Sequence, residues 1–359
     1  MGNRKKHSEL AKREERTAYK LLLPALIILL LIAIYPLGQV FYTSFTDRQF
    51  ASGQETEFIG VRNYQRLLSV KVQQLNQELD PDTNEPIFDE AGEPVYERPI
   101  AVLPREPYRY REYKQFSFLG NRYVLAATDV DFIDAIANTL IFTIASVFME
   151  LTLGLGVALV VNSNFKGRGA TRTAMLIPWA VITVVSARMW EWMLAPNRTG
   201  FFNTLLAATS VGDGRIAFLA SSQLQLWAMV AVDVWKTTPF MALLLLAGMQ
   251  TIPDELYEAA AIDGASPVKQ FFSITFPLLK PAMAVALIFR TLDALRVFDV
   301  FQVLLGQSQY SMATYNYFQL IGNRNMGLAS AIGVVIFIII FGFAIAYIKV
   351  LGVDMDETS

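Results

Sequence analysis

Apolar and polar positions along this chain fall into long separate blocks rather than a fine alternation. Leu21–Phe45 runs 25 residues without a charge, and Met326–Ile348 runs 23 in the same way. Ala135–Val161 carries only Glu150, and Thr173–Leu194 carries Arg188 and Glu191. Leu224–Met249 carries Asp233 and Lys236, while Pro281–Leu305 carries Arg290, Asp293, Arg296 and Asp299. A helix rises about 1.5 Å per residue, so about 20 residues cross a hydrocarbon core of about 30 Å. Helices of soluble proteins are usually shorter and keep a polar face. The pattern therefore predicts an all-α, polytopic membrane protein with six transmembrane helices and an insertion between the first two.

The expected organisation follows from those blocks. Residues 1–20 form a cytoplasmic amphipathic tail, 21–45 the first span, 46–131 an external loop or cap, 132–352 the core with spans two to six, and 353–359 a cytoplasmic tail. Short flanking segments set the orientation. Arg4, Lys5, Lys6, Lys12, Arg13, Arg16 and Lys20 precede the first span, and Lys166, Arg168 and Arg172 lie between the second and third. Lys269, Lys280 and Lys349 continue that series, whereas the opposite connections hold only Arg198, Arg215 and Arg324. The positive-inside rule then puts both termini in the cytoplasm. The first apolar run is too long for a signal-peptide core and lacks an A-x-A-like site after it, so it reads as a retained span.

Composition narrows the chemistry. Charged residues make up 17% of the chain, against about 25% in soluble domains. A formal charge of −2 gives no global field for nucleic acid. With no Cys and one His, at position 7, cysteine chemistry, a histidine triad and His-cluster metal sites are excluded by count. No catalytic or metal-binding residue is assigned. Within 46–131, Phe58–Leu68 reads as a Gly turn followed by a short amphipathic helix. A similar fragment recurs at Phe118–Leu125, and alternation in Glu93–Val102 suggests a small hairpin.

Between the fourth and fifth spans, Pro253-Asp-Glu-Leu-Tyr-Glu-Ala-Ala-Ala-Ile-Asp-Gly264 reads as a helix with Pro and acids at its start and a Gly stop. Ser266 then caps a second helix whose first position is Pro267. Glu258-Ala259-Ala260, Gly264, Ile274 and Pro277 stand at the spacing of the EAA motif, and the chain thereby resembles the permease subunits of bacterial ABC importers; Phe276 stands where Leu is usual. Val234–Met241, Leu243–Gly248, Phe289–Ala294 and Phe298–Asp299 are similar to the carbohydrate branch, closest to the maltose/trehalose type. The resemblance covers roughly residues 15–70 and 120–352 and leaves out the middle of the insertion.

That resemblance implies a maltose-transporter-like fold and a docking role toward an ATP-binding subunit for Glu258, Ala259, Ala260, Asp263 and Gly264. The implied partners are a second homologous permease, an ATP-binding subunit dimer, an external solute-binding protein, a sugar and membrane lipid. No phosphate-binding G-x-x-x-x-G-K-[ST] loop occurs, so the chain is expected to be a transport subunit and not an enzyme, with no cofactor of its own and ATP bound by its partners.

An ionisable residue at the bilayer centre costs about 2.5–3.5 kcal/mol on insertion scales and is expected to face a cavity or a partner. Asp233 and Lys236 share a helix face, as do Arg290 and Asp293. With Thr237, Phe240 and Phe298 they supply carboxylates, hydroxyls and aromatic faces suited to a sugar. These seven residues are the expected substrate site; Arg296 and Asp299 lie nearer the outer end as gate or surface pairs, and Glu150 is expected to point inward. The expected function is import of a disaccharide or related oligosaccharide by ATP-driven alternating access. Another polyol, a glycosylated osmolyte, or an ion-coupled secondary transporter are the alternatives, the last requiring inverted repeats.

Overall fold

A computed structural model describes residues 9–80, 83–90, 92–209 and 213–351. His7 and the tail expected at 353–359 lie outside the described residues. The first span is the helix α1 (Glu9–Leu29), a π-helical segment Leu30–Ile34 and α2 (Tyr35–Thr43) in one continuous rod. The insertion contains α3 (Arg62–Leu68), β1 (Val70–Leu75), α4 (Pro99–Val102), β2 (Arg111–Phe118) and β3 (Asn121–Ala127). The second span is α5 (Val130–Asn162). Next come α6 (Arg168–Ala174), α7 (Ile177–Ala180), α8 (Thr183–Met193) and α9 (Phe201–Ala208), then the span α10 (Gln225–Met249). The remainder is α11 (Asp254–Ile262), α12 (Pro267–Gln270), a π segment, α13 (Phe276–Ala294), α14 (Asp299–Leu304), α15 (Met312–Tyr317), a second π segment and α16 (Met326–Leu351).

Among the described residues, five helical stretches are long and apolar enough to cross a membrane, and six if the bent pair Arg168–Ala180 and Thr183–Met193 counts as one. That pair is where the expected straight third span fails: its two halves meet at 88°. The fifth span also differs, because the helix stops at Ala294 and restarts at Asp299. The insertion departs from an all-α reading. β1, β3 and β2 form an antiparallel sheet in that order. The real hairpin is β2–β3, joined at Leu119 and Gly120, both with positive φ, so the fragment Phe118–Leu125 is a turn and a strand and not a second helix. Glu93–Val102 instead forms isolated bridges at Pro94 and Tyr96 and then α4. The sheet has its own small core of Leu75, Leu103, Val124 and Ala126.

In lipid, helices associate by close packing and hydrogen bonding, since tails are as apolar as leucine. α5 and α10 run side by side and parallel, with Gly154 of α5 against Met241 and Ala242 of α10. Phe142, Trp190, Met229 and Phe301 fill one apolar layer, and Met241, Leu245 and Leu279 fill a second further along α10. α16 packs on α2 and α15, with Leu328 and Ile332 against Phe132 and Tyr315. The first rod turns its apolar side chains outward from Leu21 to Ile34. That surface suits lipid or a companion subunit.

The insertion is anchored to the α5 end of the bundle by polar contacts. Asn63 donates to the Ser44 and Thr46 carbonyls at 2.9 and 2.8 Å. Asp129 caps α5 by accepting from the Phe132 N–H at 3.1 Å, and the Tyr315 hydroxyl donates to both of its oxygens at 2.8 Å. Burial pushes the Asp129 carboxyl above the usual carboxylate range, although the Tyr315 and Phe132 hydrogen bonds pull the other way. Burial, and then the Asp129 charge, push the Tyr315 phenol above its ordinary value.

Two outcomes follow from these contacts. A Cβ at Gly327 would meet the Thr46 carbonyl oxygen at 2.0 Å, whereas one at Gly156 meets nothing within 4 Å. Gly327→Ala is therefore expected to destabilise by about 1–3 kcal/mol, with Gly156→Ala close to neutral, in thermal unfolding of the purified protein. Unfolded tyrosine loses its proton near pH 10 while folded Tyr315 keeps it, so Tyr315 makes stability fall as pH rises above about 10. The melting temperature of Tyr315→Phe should lose that alkaline slope relative to wild type, from a lower starting point.

Candidate functional site: a charged cluster inside the helix bundle

The polar residues on α5, α10 and α13 meet at one depth. Glu150 of α5 is fully buried, and Arg290 of α13 grips it with two bonds, Nε to Oε2 at 2.5 Å and Nη2 to Oε1 at 2.7 Å. The same Nη2 donates to Asp233 Oδ2 of α10 at 2.9 Å, and Nη1 donates to Asp293 Oδ2 at 2.6 Å. One guanidinium thus holds three carboxylates from three helices, a geometry that suits the planar fork of Arg and not the point charge of Lys. Glu150 also accepts from the Thr237 hydroxyl.

The two pairs that share a helix face behave differently. Arg290 and Asp293 form the pair that their spacing suggests, whereas Asp233 and Lys236 do not bond to each other. Lys236 instead reaches across to the bent helix pair and donates to the Val181 and Trp179 carbonyls at 2.6 and 3.4 Å. Those carbonyls sit where the helix breaks and have lost their own helical partners. Pro239 within α10 likewise lacks the backbone donor that the Trp235 carbonyl would take, and just before it the Thr238 hydroxyl donates to the Val234 carbonyl and the Thr237 hydroxyl, shared with Glu150, to the Asp233 carbonyl, each at 2.6 Å. The Trp179 ring stacks on Phe240 at 5.8 Å with 10° between planes.

Two adjoining cavities open on this cluster. One, of about 190 Å³, is lined by Asp233, Lys236, Thr237, Arg290, Asp293 and Phe298, together with Thr183 and Asp299. The other, of about 330 Å³, is walled by Trp179, Phe240 and Phe289, and shares Thr237, Arg290 and Asp293 with the first. All seven residues expected to line a substrate route therefore reach one of the two spaces. Arg296 lines both cavities and stands 4.0 Å from Asp293. Four of the five Arg290 N–H groups are already engaged. Of the three carboxylates that Arg290 holds, Asp293, with its side chain 65% exposed, is the most accessible, and Phe240, Phe289 and Trp179 offer flat apolar faces.

Sequence reasoning placed Glu150 inward but named no partner for it; its solitude in an apolar run was the available signal. Trp179, Thr183 and Phe289 were not singled out as site residues. They arrive through the 88° bend and through the second cavity, neither of which periodicity reveals.

At the far end of α10, the segment 253–277 forms an exposed knob. α11 ends in Gly264 at φ +77°, with the Ala265 N–H bonded to the Ala260 carbonyl at 2.9 Å, an arrangement that turns the chain sharply out of the helix. Ser266 caps α12 as expected, accepting from the Lys269 N–H at 3.4 Å. Glu258, Ala259, Asp263 and Gly264 are exposed, Ala260 is half-buried, and Ile262 is 86% exposed. Tyr257 and Thr275 share a hydrogen bond of 2.9 Å that ties the knob back to the π segment before α13. The knob is thereby bonded to the stretch that leads into α13, the helix that carries Arg290.

Comparison with known proteins agrees with this architecture. Residues 150–350 match the family model described as binding-protein-dependent transport system inner membrane component. The chain is 37% identical over 349 residues to the Trehalose/maltose transport system permease protein MalF of Thermococcus litoralis, covering 96% of each. It is 33% identical over 341 residues to the Trehalose transport system permease protein SugA of Mycobacterium tuberculosis, covering 94% of this chain and 90% of that one. Among solved structures, a chain of a bacterial ABC transporter involved in import of the acidic polysaccharide alginate shares the fold, with TM-score 0.67, 20% identity, and coverage of 97% of this chain and 100% of that chain.

Removing Arg290 leaves buried carboxylates without their cation, whereas neutralising Glu150 leaves Arg290 paired with Asp233 and Asp293. Arg290→Met is therefore expected to cost about 3–5 kcal/mol and Glu150→Gln markedly less, measured by thermal unfolding in detergent.

Proposed function

The chain belongs to the family of binding-protein-dependent transport system inner membrane components, and from that premise we propose that it is the permease subunit of an ATP-driven importer for a disaccharide such as trehalose or maltose. The observation that carries the reading is the exposed helix–Gly264–helix knob at one end of α10, with a polar and aromatic cavity midway along the same helix. The insertion lies at the opposite end, beside the starts of α5 and α10.

In this reading both termini and the knob face the cytoplasm, and the insertion faces outward. Glu258, Ala259, Ala260, Asp263 and Gly264 form the surface that an ATP-binding subunit grips, since small side chains allow close approach and Ile262 supplies an apolar contact. A second, homologous permease covers the apolar first rod, and an external solute-binding protein delivers the sugar to the outer face. ATP is bound and hydrolysed by the partner subunits. Their closure moves the knob, the knob moves α13, and the cavities beside Arg290 open alternately to the two sides. In the cavities, Asp233 and Asp293 accept sugar hydroxyls, Lys236 and Thr237 complete the polar wall, and Phe240 and Phe298 face the sugar's C–H surface. The names of the relatives support a glucose disaccharide as the cargo.

The test is transport of labelled trehalose and maltose into proteoliposomes carrying the whole assembly. Uptake is expected to need internal ATP and the binding protein; uptake driven by an ion gradient without ATP overturns the reading. A β-branched residue at Gly264 strains a left-handed backbone by about 1–2 kcal/mol. Gly264→Val is therefore expected to lower sugar-stimulated uptake about tenfold, while ATP hydrolysis continues uncoupled. Unchanged coupled transport refutes the role of the knob.

A further inference from the structure

A third cavity, of about 280 Å³, lies on the insertion side of the bundle and belongs to neither of the two above. It is enclosed by the starts of α5 and α10 and by the loop after α14, and is lined by Asp131, Asp134, Asn138, Gln225, Gln309 and Tyr310 among others. Gln225 is eight residues before Asp233 on α10, so the cavity sits about 12 Å along the helix from the charged cluster. An apolar layer lies between. Phe142 and Phe301 meet edge to face at 5.5 Å, both fully buried, alongside fully buried Met229.

The hydrogen bonding within this cavity's wall is incomplete. The Gln309 amide N–H₂ donates to Asn138 Oδ1 at 2.9 Å, and the Asn138 N–H₂ donates to the Tyr310 carbonyl at 3.2 Å. Each of these amides uses one of its two N–H groups within the wall. The amide oxygens of Gln225, which is 6% exposed, and of Gln309 are buried with no hydrogen-bond partner. Asp131 is engaged by Arg111 through one oxygen at 3.0 Å, and the Asp134 carboxylate lines the same space. The wall therefore presents carboxylates, amide oxygens and amide N–H groups together, a mixture that suits groups able both to donate and to accept. Unpartnered buried acceptors are rare in folded proteins and call for a donor from elsewhere. The complement is a molecule rich in O–H donors with a C–H face for the Tyr310 ring. A metal ion fits less well: among the described residues no three Asp, Glu or His side chains converge.

We infer that this cavity is an outer sugar subsite, which takes a neutral, hydroxyl-rich sugar through Gln225, Gln309 and Asp134 before the Phe142–Phe301 layer opens toward Arg290. The inference rests on the sugar-import reading above and adds a station to its route. Ligand hydroxyls bond to Asp134 and to the side-chain amides of Gln225 and Gln309, and the Tyr310 ring covers one face of the sugar. The Phe142–Phe301 pair separates the two stations, so a sugar held at the outer one is not in contact with the charged cluster.

The natural absence of cysteine makes a direct test available. Single reporters Ser308→Cys, in the outer cavity, and Thr183→Cys, in the central one, are introduced separately into the full assembly in proteoliposomes. Each is reacted with a charged methanethiosulfonate reagent, with and without saturating trehalose, maltose or a glucosylated polyol. A several-fold slowing of modification at both reporters by the same sugar is expected. Gln225→Leu should abolish protection at Ser308→Cys and keep it at Thr183→Cys; Gln309→Leu provides the same readout if Gln225→Leu does not assemble. Protection at Thr183→Cys alone overturns the outer subsite and leaves the sugar reading standing. Protection at neither position overturns both. Slowing at Ser308→Cys by sodium or calcium chloride alone, without sugar, overturns the subsite in favour of a cation site.

Discussion

One guanidinium in a medium without water organises this bundle. Arg290 holds Glu150, Asp233 and Asp293, contributed by three helices that lipid alone gives little reason to associate in a fixed register. Each carboxylate is costly at that depth without its cation, and the cation is costly without them. Sliding any of these helices by one residue would separate the partners by about 1.5 Å along the axis. The alignment of α5 with α10, and with it the Gly154 contact and both central cavities, depends on that constraint. The same constraint gives the cavities their chemistry: the acid least enclosed by Arg290, Asp293, is the one most open to a ligand.

Much of the membrane part was legible because a bilayer demands long apolar runs, and a protein cannot disguise them. Leu21–Phe45, Ala135–Val161, Leu224–Met249 and Met326–Ile348 all correspond to helices of the expected length. The failures came where a run is broken by geometry. Thr173–Leu194 has the composition of a span, but Pro178 and the sequence Val181-Ile182-Thr183 lie where the chain turns through 88°. Its freed carbonyls are met by Lys236, a residue far away in sequence. The insertion was misread because β2 and β3 alternate weakly, with most of β2 exposed on both faces, so period-two patterning was faint.

The site residues show the same division. Intramembrane charges announce themselves, because each needs a compensating reason to be there. Their partners do not. Spacing of three puts Asp233 and Lys236 on one helix face, yet the contacts made run between helices, from Arg290 to Glu150 and Asp233. Local spacing describes which groups share a face; it carries no information about what the neighbouring helix presents. The first helix of the knob, its Gly264 turn and the Ser266 cap were legible for the opposite reason, since Pro, Ala, Gly and Ser act locally; the π segment Phe271–Thr275 that joins the second helix to α13 was not.

The Lys236 contact has a mechanical corollary. Two carbonyls at the corner of a bent helix are solvated by one ammonium on a flexible four-carbon stem. A butyl tether of that kind behaves as a soft spring, where a guanidinium fork would act as a rigid bracket. The corner can swing through a small arc while its exposed oxygens keep a proton donor throughout.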